Sequence, residues 1–253
     1  MLFTDSVYVG VDLAAGHKAI TYAALDRDLN IIALSVAGWD EVLAFLAGQK
    51  TAVVAVNAPS QVNRGIVKRN LRAQDLSLRP MRGADMRLAE YELRQRGIAI
   101  RETPSRESLC SASVRSGFVF YRKLSKLGYE SYPADDAPRH WLETSSSACF
   151  CALFGSRPLS KSSLEGRLQR ELLFYELGMR IRDPMIFYEE ITRHKLLNGL
   201  LPLELVHSSS QLDAMAAALT AWQVIQKPAE VIRLGHRLEG FITLPVSTLK
   251  EKY

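Results

Sequence analysis

Apolar and polar positions change rhythm several times along the chain. Val7 to Ala14 (VYVGVDLA) is apolar except at Asp12, and His17 to Leu25 (HKAITYAAL) resumes after an Ala-Gly turn, which predicts a hairpin of buried strands. Asn30 to Val36 predicts a third strand. Trp39 to Leu46 then sets Val42, Leu43, Phe45 and Leu46 at helical spacing, and Thr51 to Val56 is a short β-branched run that ends at Asn57-Ala58-Pro59. The predicted opening is therefore β-β-β-α-β. Further on, helical spacing or boundary residues predict helices at about Gly83 to Arg96, Ala112 to Leu127, Pro138 to Leu142, Ser163 to Leu177 and Ile186 to Leu197. Tyr129 to Tyr132 reads as a strand, and Val231 to Leu234 with Gly240 to Leu244 as a closing hairpin around Gly235. The last long helix, Ser209 to Ile225, carries an apolar stripe of Leu212, Met215, Leu219 and Trp222. Beside the stripe, Ala214, Ala217, Ala218 and Ala221 form a small-residue face that allows close approach to a sheet.

Composition narrows the setting. With 253 residues and 47% hydrophobic content, the chain can bury its core as one domain spanning residues 1–253, with an insertion at about residues 60–108. The longest apolar stretch, Ala148 to Phe154, is far short of the roughly 18 residues of a membrane span, and Asp5 interrupts any leader-like pattern. The expectation is a cytoplasmic protein with no membrane partner. Cys110, Cys149 and Cys151 have no metal-ligand spacing and read as buried free thiols. Net charge is +5, but Ser60 to Arg106 holds eleven Lys/Arg against five Asp/Glu, so the basic character is local. A concentrated surplus attracts polyanions such as nucleic acid. Arg82, Arg87, Arg94 and Arg96 alternate with Asp85, Glu90 and Glu92, which suits ion pairs within a helix. Arg64, Lys68, Arg69 and Arg72 have few acids beside them and are the better phosphate contacts.

Asp12 raises the first chemical question, because an ionised carboxylate in a buried strand is costly without a partner. The segments VGVDLAAGHKAITYAAL, VAVNAPS, MRLAEYELRQRGI, GYESYPA, KSSLEGRLQRELLFYELG and QLDAMAAALTAW occur in this order over nearly the whole chain. Together they resemble the DUF429 family of predicted ribonuclease H-like nucleases. The resemblance implies an α/β fold with a ribonuclease H-like mixed sheet flanked by helices, and a basic helical insertion. It implies a metal-dependent nuclease that hydrolyses phosphodiesters of DNA or RNA with Mg²⁺ or Mn²⁺, the metal lying among Asp12, the position of Asn57, and Asp213. Glu130 matches the family's Glu-x-x-Pro strand end as a further acid, and Lys161, Arg167 and Arg170 match its Lys…Arg-x-x-Arg run; Arg167 and Arg170 share a helix face and, with Lys161, suit phosphates or a neighbouring carboxylate such as Asp12 or Glu130. Asn57 departs from the pattern, since the family commonly has Asp before Ala-Pro. An amide brings one oxygen but no charge, so a non-catalytic nucleic-acid-binding or assembly module of the same fold is the alternative. The β-β-β-α-β opening also suits actin-like nucleotide proteins, but no second phosphate loop is present. His17-Lys18 after the first strand offers a phosphate contact or a plain turn. The five histidines lack metal-ligand spacing, and no Gly-x-Ser-x-Gly elbow or P-loop occurs.

Overall fold

A computed structural model describes residues 6–13, 19–73, 83–134 and 137–253. The expected turn with His17 and Lys18, and Arg82 of the basic segment, lie outside the described residues. Three apolar runs become strands buried along their whole length: β1 (Val7–Asp12), β2 (Ile20–Leu25) and β4 (Ala52–Val56). Strands of that kind need cover on both faces. The strand between them in sequence, β3 (Ile31–Ala37), is partly exposed, as befits an edge. α1 (Trp39–Ala47) is the crossover between β3 and β4, so the predicted β-β-β-α-β opening is present. The remaining strands are β5 (Glu130–Ser131), β6 (Arg139–Thr144), β7 (Ile232–His236) and β8 (Gly240–Leu244). They complete a mixed eight-stranded sheet in the order β3-β2-β1-β4-β6-β8-β7, with β5 paired to β6. β1, β4, β6 and β8 run parallel, whereas β2, β3 and β7 pair antiparallel.

Helices cover both faces. On one, Val42 and Leu46 of α1 join Phe120, Tyr121 and Leu124 of α4 (Ala112–Lys126) against Val9, Val11, Val54 and Val56. On the other, α9 (Ser209–Gln226) packs with α5 (Ser146–Phe154) and α6 (Leu164–Glu176). The alanine face of α9 lies on β1 with no side chain between: a Cβ on Gly10 would sit 2.0 Å from the Ala214 carbonyl oxygen and 2.2 Å from the Ala218 nitrogen. Glycine at position 10 is therefore what lets helix and strand backbones touch.

Several expectations change. Pro138 to Leu142 is not a helix, because Arg139–Thr144 forms β6 in the interior of the sheet. Its residues have weak intrinsic β preference; pairing with β4 on one edge and with β5 and β8 on the other decides the outcome. Two unanticipated helices, α2 (Ile66–Ala73) and α5, flank the predicted ones, and the helix expected from Gly83 is confined to α3 (Leu88–Gln95). The stretch from Ile186 breaks into α7 (Ile186–Glu189) and α8 (Arg193–Leu197), since the Thr192 side chain accepts the Lys195 N–H and starts a new helix. Gly235 lies within β7, so the closing turn is at residues 237–239. The cysteines are free and buried, as expected.

Candidate functional site

Parallel pairing of Val11 with Val56 brings the ends of β1 and β4 to one level, and the Asn57 N–H donates to the Val11 carbonyl at 2.8 Å. Asp12 is fully buried there. Two residues beyond Gly10, it faces the α9 side of the sheet. Asn57 donates from Nδ2 to Asp12 Oδ1 at 2.9 Å, while its own Oδ1 accepts the Ser146 N–H at 3.0 Å. The amide thus caps the first turn of α5 with its oxygen and presents its NH₂ to the carboxylate. Asp213, on α9 next to the Gly10 contact, is 2% exposed and receives the Lys161 ammonium at 2.6 Å. Lys161 stands between two cavities. One of about 480 Å³ is lined by Asp12, Asn57 and Lys161, and a second of about 550 Å³ by Lys161, Asp213 and Arg170.

A second charged group lies one strand further across the sheet. Glu143 pairs in register with Val56 and is buried. Arg87, 1% exposed, grips it with both terminal nitrogens, at 3.0 and 2.5 Å, and gives its Nε to Glu90 at 2.7 Å. Burial opposes the guanidinium charge, but Glu143 and Glu90 outweigh it and raise the Arg87 pKa above the usual arginine value. The Ser60 N–H completes the Glu143 shell at 2.7 Å. Glu239, in the β7–β8 turn, is also buried; it accepts the Arg64 and Ile66 N–H groups on one oxygen and the Leu88 N–H on the other. One carboxylate therefore serves the starts of both α2 and α3, where a negative charge is favoured. Gly240, at φ +85°, leaves room for this cluster, because a Cβ there would sit 2.4 Å from the Ser60 hydroxyl. The Tyr121 hydroxyl, held neutral by burial and by Glu143, donates to the Ala58 carbonyl at 2.9 Å and steadies the turn after Asn57.

Of the expected site residues, Asp12, Asn57, Asp213 and Lys161 come together, with Arg170 on the adjoining wall. Glu130 does not join them. It is exposed on β5 opposite His140, which pairs with Val53, three residues before Val56 and so about 10 Å towards the other end of the sheet. Arg167 is half-buried on α6 and lines neither cavity. Arg64, Lys68, Arg69 and Arg72 are exposed on α2 and its entry, and none forms an ion pair among the described residues. No cluster of three or more His, Cys, Asp or Glu suited to a metal occurs among the described residues. Sequence reasoning missed Glu143. The signal was the one that revealed Asp12, an acid closing a strand, but Arg139-His140 at the start of β6 masked the run.

These features define a mixed α/β protein with acidic side chains gathered at the carboxyl ends of parallel strands. The chain belongs to the DUF429 family: the model of that family, described as a protein of unknown function, matches residues 10–233. No curated protein and no solved structure matches it. The matched span contains Asp12, Asn57, Arg87, Glu143, Lys161 and Asp213. No described helix is long and apolar enough to cross a membrane.

Proposed function

We propose that this chain is a nucleic-acid-binding protein on a ribonuclease H-like fold, and that it holds phosphodiesters without cleaving them. The fold reading is supported by the β-β-β-α-β opening, by a buried acid at the end of β1 and by a second acid on the late helix α9. The binding reading rests on the row of Arg64, Lys68, Arg69 and Arg72, four exposed cations that no described carboxylate neutralises. Lys68 and Arg72 are four apart and share a helix face. Arg64 also lines a groove of about 490 Å³ with Lys126 of α4 and the Arg122–Glu107 pair, so Lys126 is the cation the groove adds.

The donor set does not fit a pair of Mg²⁺ or Mn²⁺ ions. Such a pair is held by several carboxylates free to ligate. Here Asp12 faces the Asn57 amide NH₂, Asp213 holds the Lys161 ammonium, and Glu143 is gripped by Arg87. The oxygen that Asn57 was expected to offer a metal is committed to α5.

The test is a binding titration of labelled DNA and RNA, single- and double-stranded, at rising salt and in the presence of Mg²⁺ or Mn²⁺. Expected is salt-dependent binding with intact nucleic acid. Replacing Arg64, Lys68, Arg69 and Arg72 together by Ala should flatten the slope of log K against log salt by about 3 to 4. Salt-insensitive or absent binding overturns the reading. Metal-dependent cleavage that Asp12→Asn abolishes overturns its non-catalytic part and restores the nuclease reading.

A further inference from the structure

The cavity on the far side of Lys161 has no part in that reading. It is bounded by α5, α6, residues 157–161 and residues 97–99, and its charged lining is Arg94, Arg157, Lys161, Arg170 and Asp213. Two of the four cations are already matched: Arg94 pairs with Glu102 at 2.7 Å, and Lys161 with Asp213. The other two have only carbonyl acceptors among the described residues. Arg157 donates to the Gly97 carbonyl at 2.9 Å, and Arg170 donates through one nitrogen to the carbonyls of Leu159 and Gly166. Arg170 is only 5% exposed, lies 4.9 Å over the Phe150 ring, and leaves its Nε without a hydrogen-bond partner among the described residues. Burial lowers its pKa, with Asp213 opposing the shift from a distance. Both guanidiniums line this one cavity, with Cys151 on its wall. A buried cation that no carboxylate touches is unfavourable, and an anion in the cavity would remove that cost.

We propose that this cavity binds a phosphate monoester dianion between Arg157 and Arg170, with Lys161 at the boundary with the Asp12 cavity. Two guanidiniums with no ion pair among the described residues supply two positive charges, which match a dianion and exceed what an internal phosphodiester carries. Their planar forks also suit phosphate oxygens. The group has two possible sources. The phosphorylated end of a nucleic acid deepens the binding reading above and rests on it; inorganic phosphate or a free phosphate ester stands apart from it.

The test is calorimetry on the full chain with three probes: inorganic phosphate, a 5′-phosphorylated oligonucleotide, and the same oligonucleotide with a 5′-hydroxyl. Inorganic phosphate should bind at pH 8 and weaken at least tenfold at pH 5, where the dianion is protonated. Arg157 is exposed, so Arg157→Ala should fold normally and weaken phosphate binding at least tenfold; Arg170→Lys, which keeps the charge but loses the fork, should weaken it too. The quadruple α2 substitution should leave phosphate binding unchanged, so the site stands even if the nucleic-acid reading fails. A tenfold preference for the 5′-phosphate identifies a nucleic-acid end as the source, and phosphate binding without that preference identifies a free ester. The proposal is overturned if neither phosphate nor the 5′-phosphate is recognised, or if Arg157→Ala binds phosphate as the wild type does.

Discussion

Arg87–Glu143 and Lys161–Asp213 are both cation–carboxylate pairs near the same end of one sheet, yet they differ in what surrounds them. Around the first, both partners are buried, both carboxylate oxygens are bonded, and the Glu90 carboxylate and the Glu239 backbone carbonyl complete the shell of Arg87. Around the second, only Asp213 is buried; the lysine side chain is 49% exposed and borders two cavities. A buried bidentate guanidinium holds structure together, even where Arg87 and Glu143 form part of the wall of the Asp12 cavity. A half-solvated ammonium can swing away and let an incoming group meet the acid it covered.

Four experiments bear on that contrast, starting with the largest effect. Arg87→Met should destabilise the fold by about 4 kcal/mol in urea titrations, because it strands the buried carboxylates of Glu143 and Glu90 without their cation. A loss below about 1 kcal/mol would mean that water reaches this pair too. The ground between the two pairs is tested by Cys149, whose pKa burial lifts from 9.0 to about 11 despite hydrogen bonds with Thr144 and Thr220. The unfolded thiol ionises first, so this contribution is complete below about pH 9 and disappears as pH climbs through 11. It amounts to about 3 kcal/mol. Stability measured across that range should fall less steeply in Cys149→Ala, and identical alkaline limbs would show the thiol to be hydrated.

Glu239→Gln should cost about 2 kcal/mol, since it removes the charge from two helix starts while keeping one acceptor. Hydrogen exchange should then quicken at the Arg64, Ile66 and Leu88 amides, and unchanged protection there would refute the shared-cap role. Lys161→Met should have the smallest effect, about 1 kcal/mol, because solvent screens the exposed partner. A loss as large as that of Arg87→Met would erase the distinction between the two pairs.

How much of this could be read from the chain depended on whether the cause was local. The buried runs of β1, β2 and β4 and the alanine face of α9 are written in consecutive residues, so the opening of the sheet and the meeting of Asp12 with α9 were legible. β6 was not, because its strand state is imposed by neighbours far away in sequence. The spacing of Arg87 suits ion pairing along its helix, and its bond to Glu90 bears that out; its stronger tie, to Glu143, bridges 56 positions and leaves no trace in spacing. Asn57 reads in the sequence as a missing acid. Its second task, supplying the first turn of α5 with an acceptor, depended on a helix that the sequence pattern had not suggested.

The β7–β8 turn reaches further than its three residues suggest. Because Glu239 anchors the entry to α2, lengthening that turn by a residue would tilt the whole row of exposed arginines and lysine without altering any of them. An edit to this hairpin would therefore re-aim a basic face while leaving every basic residue on it in place.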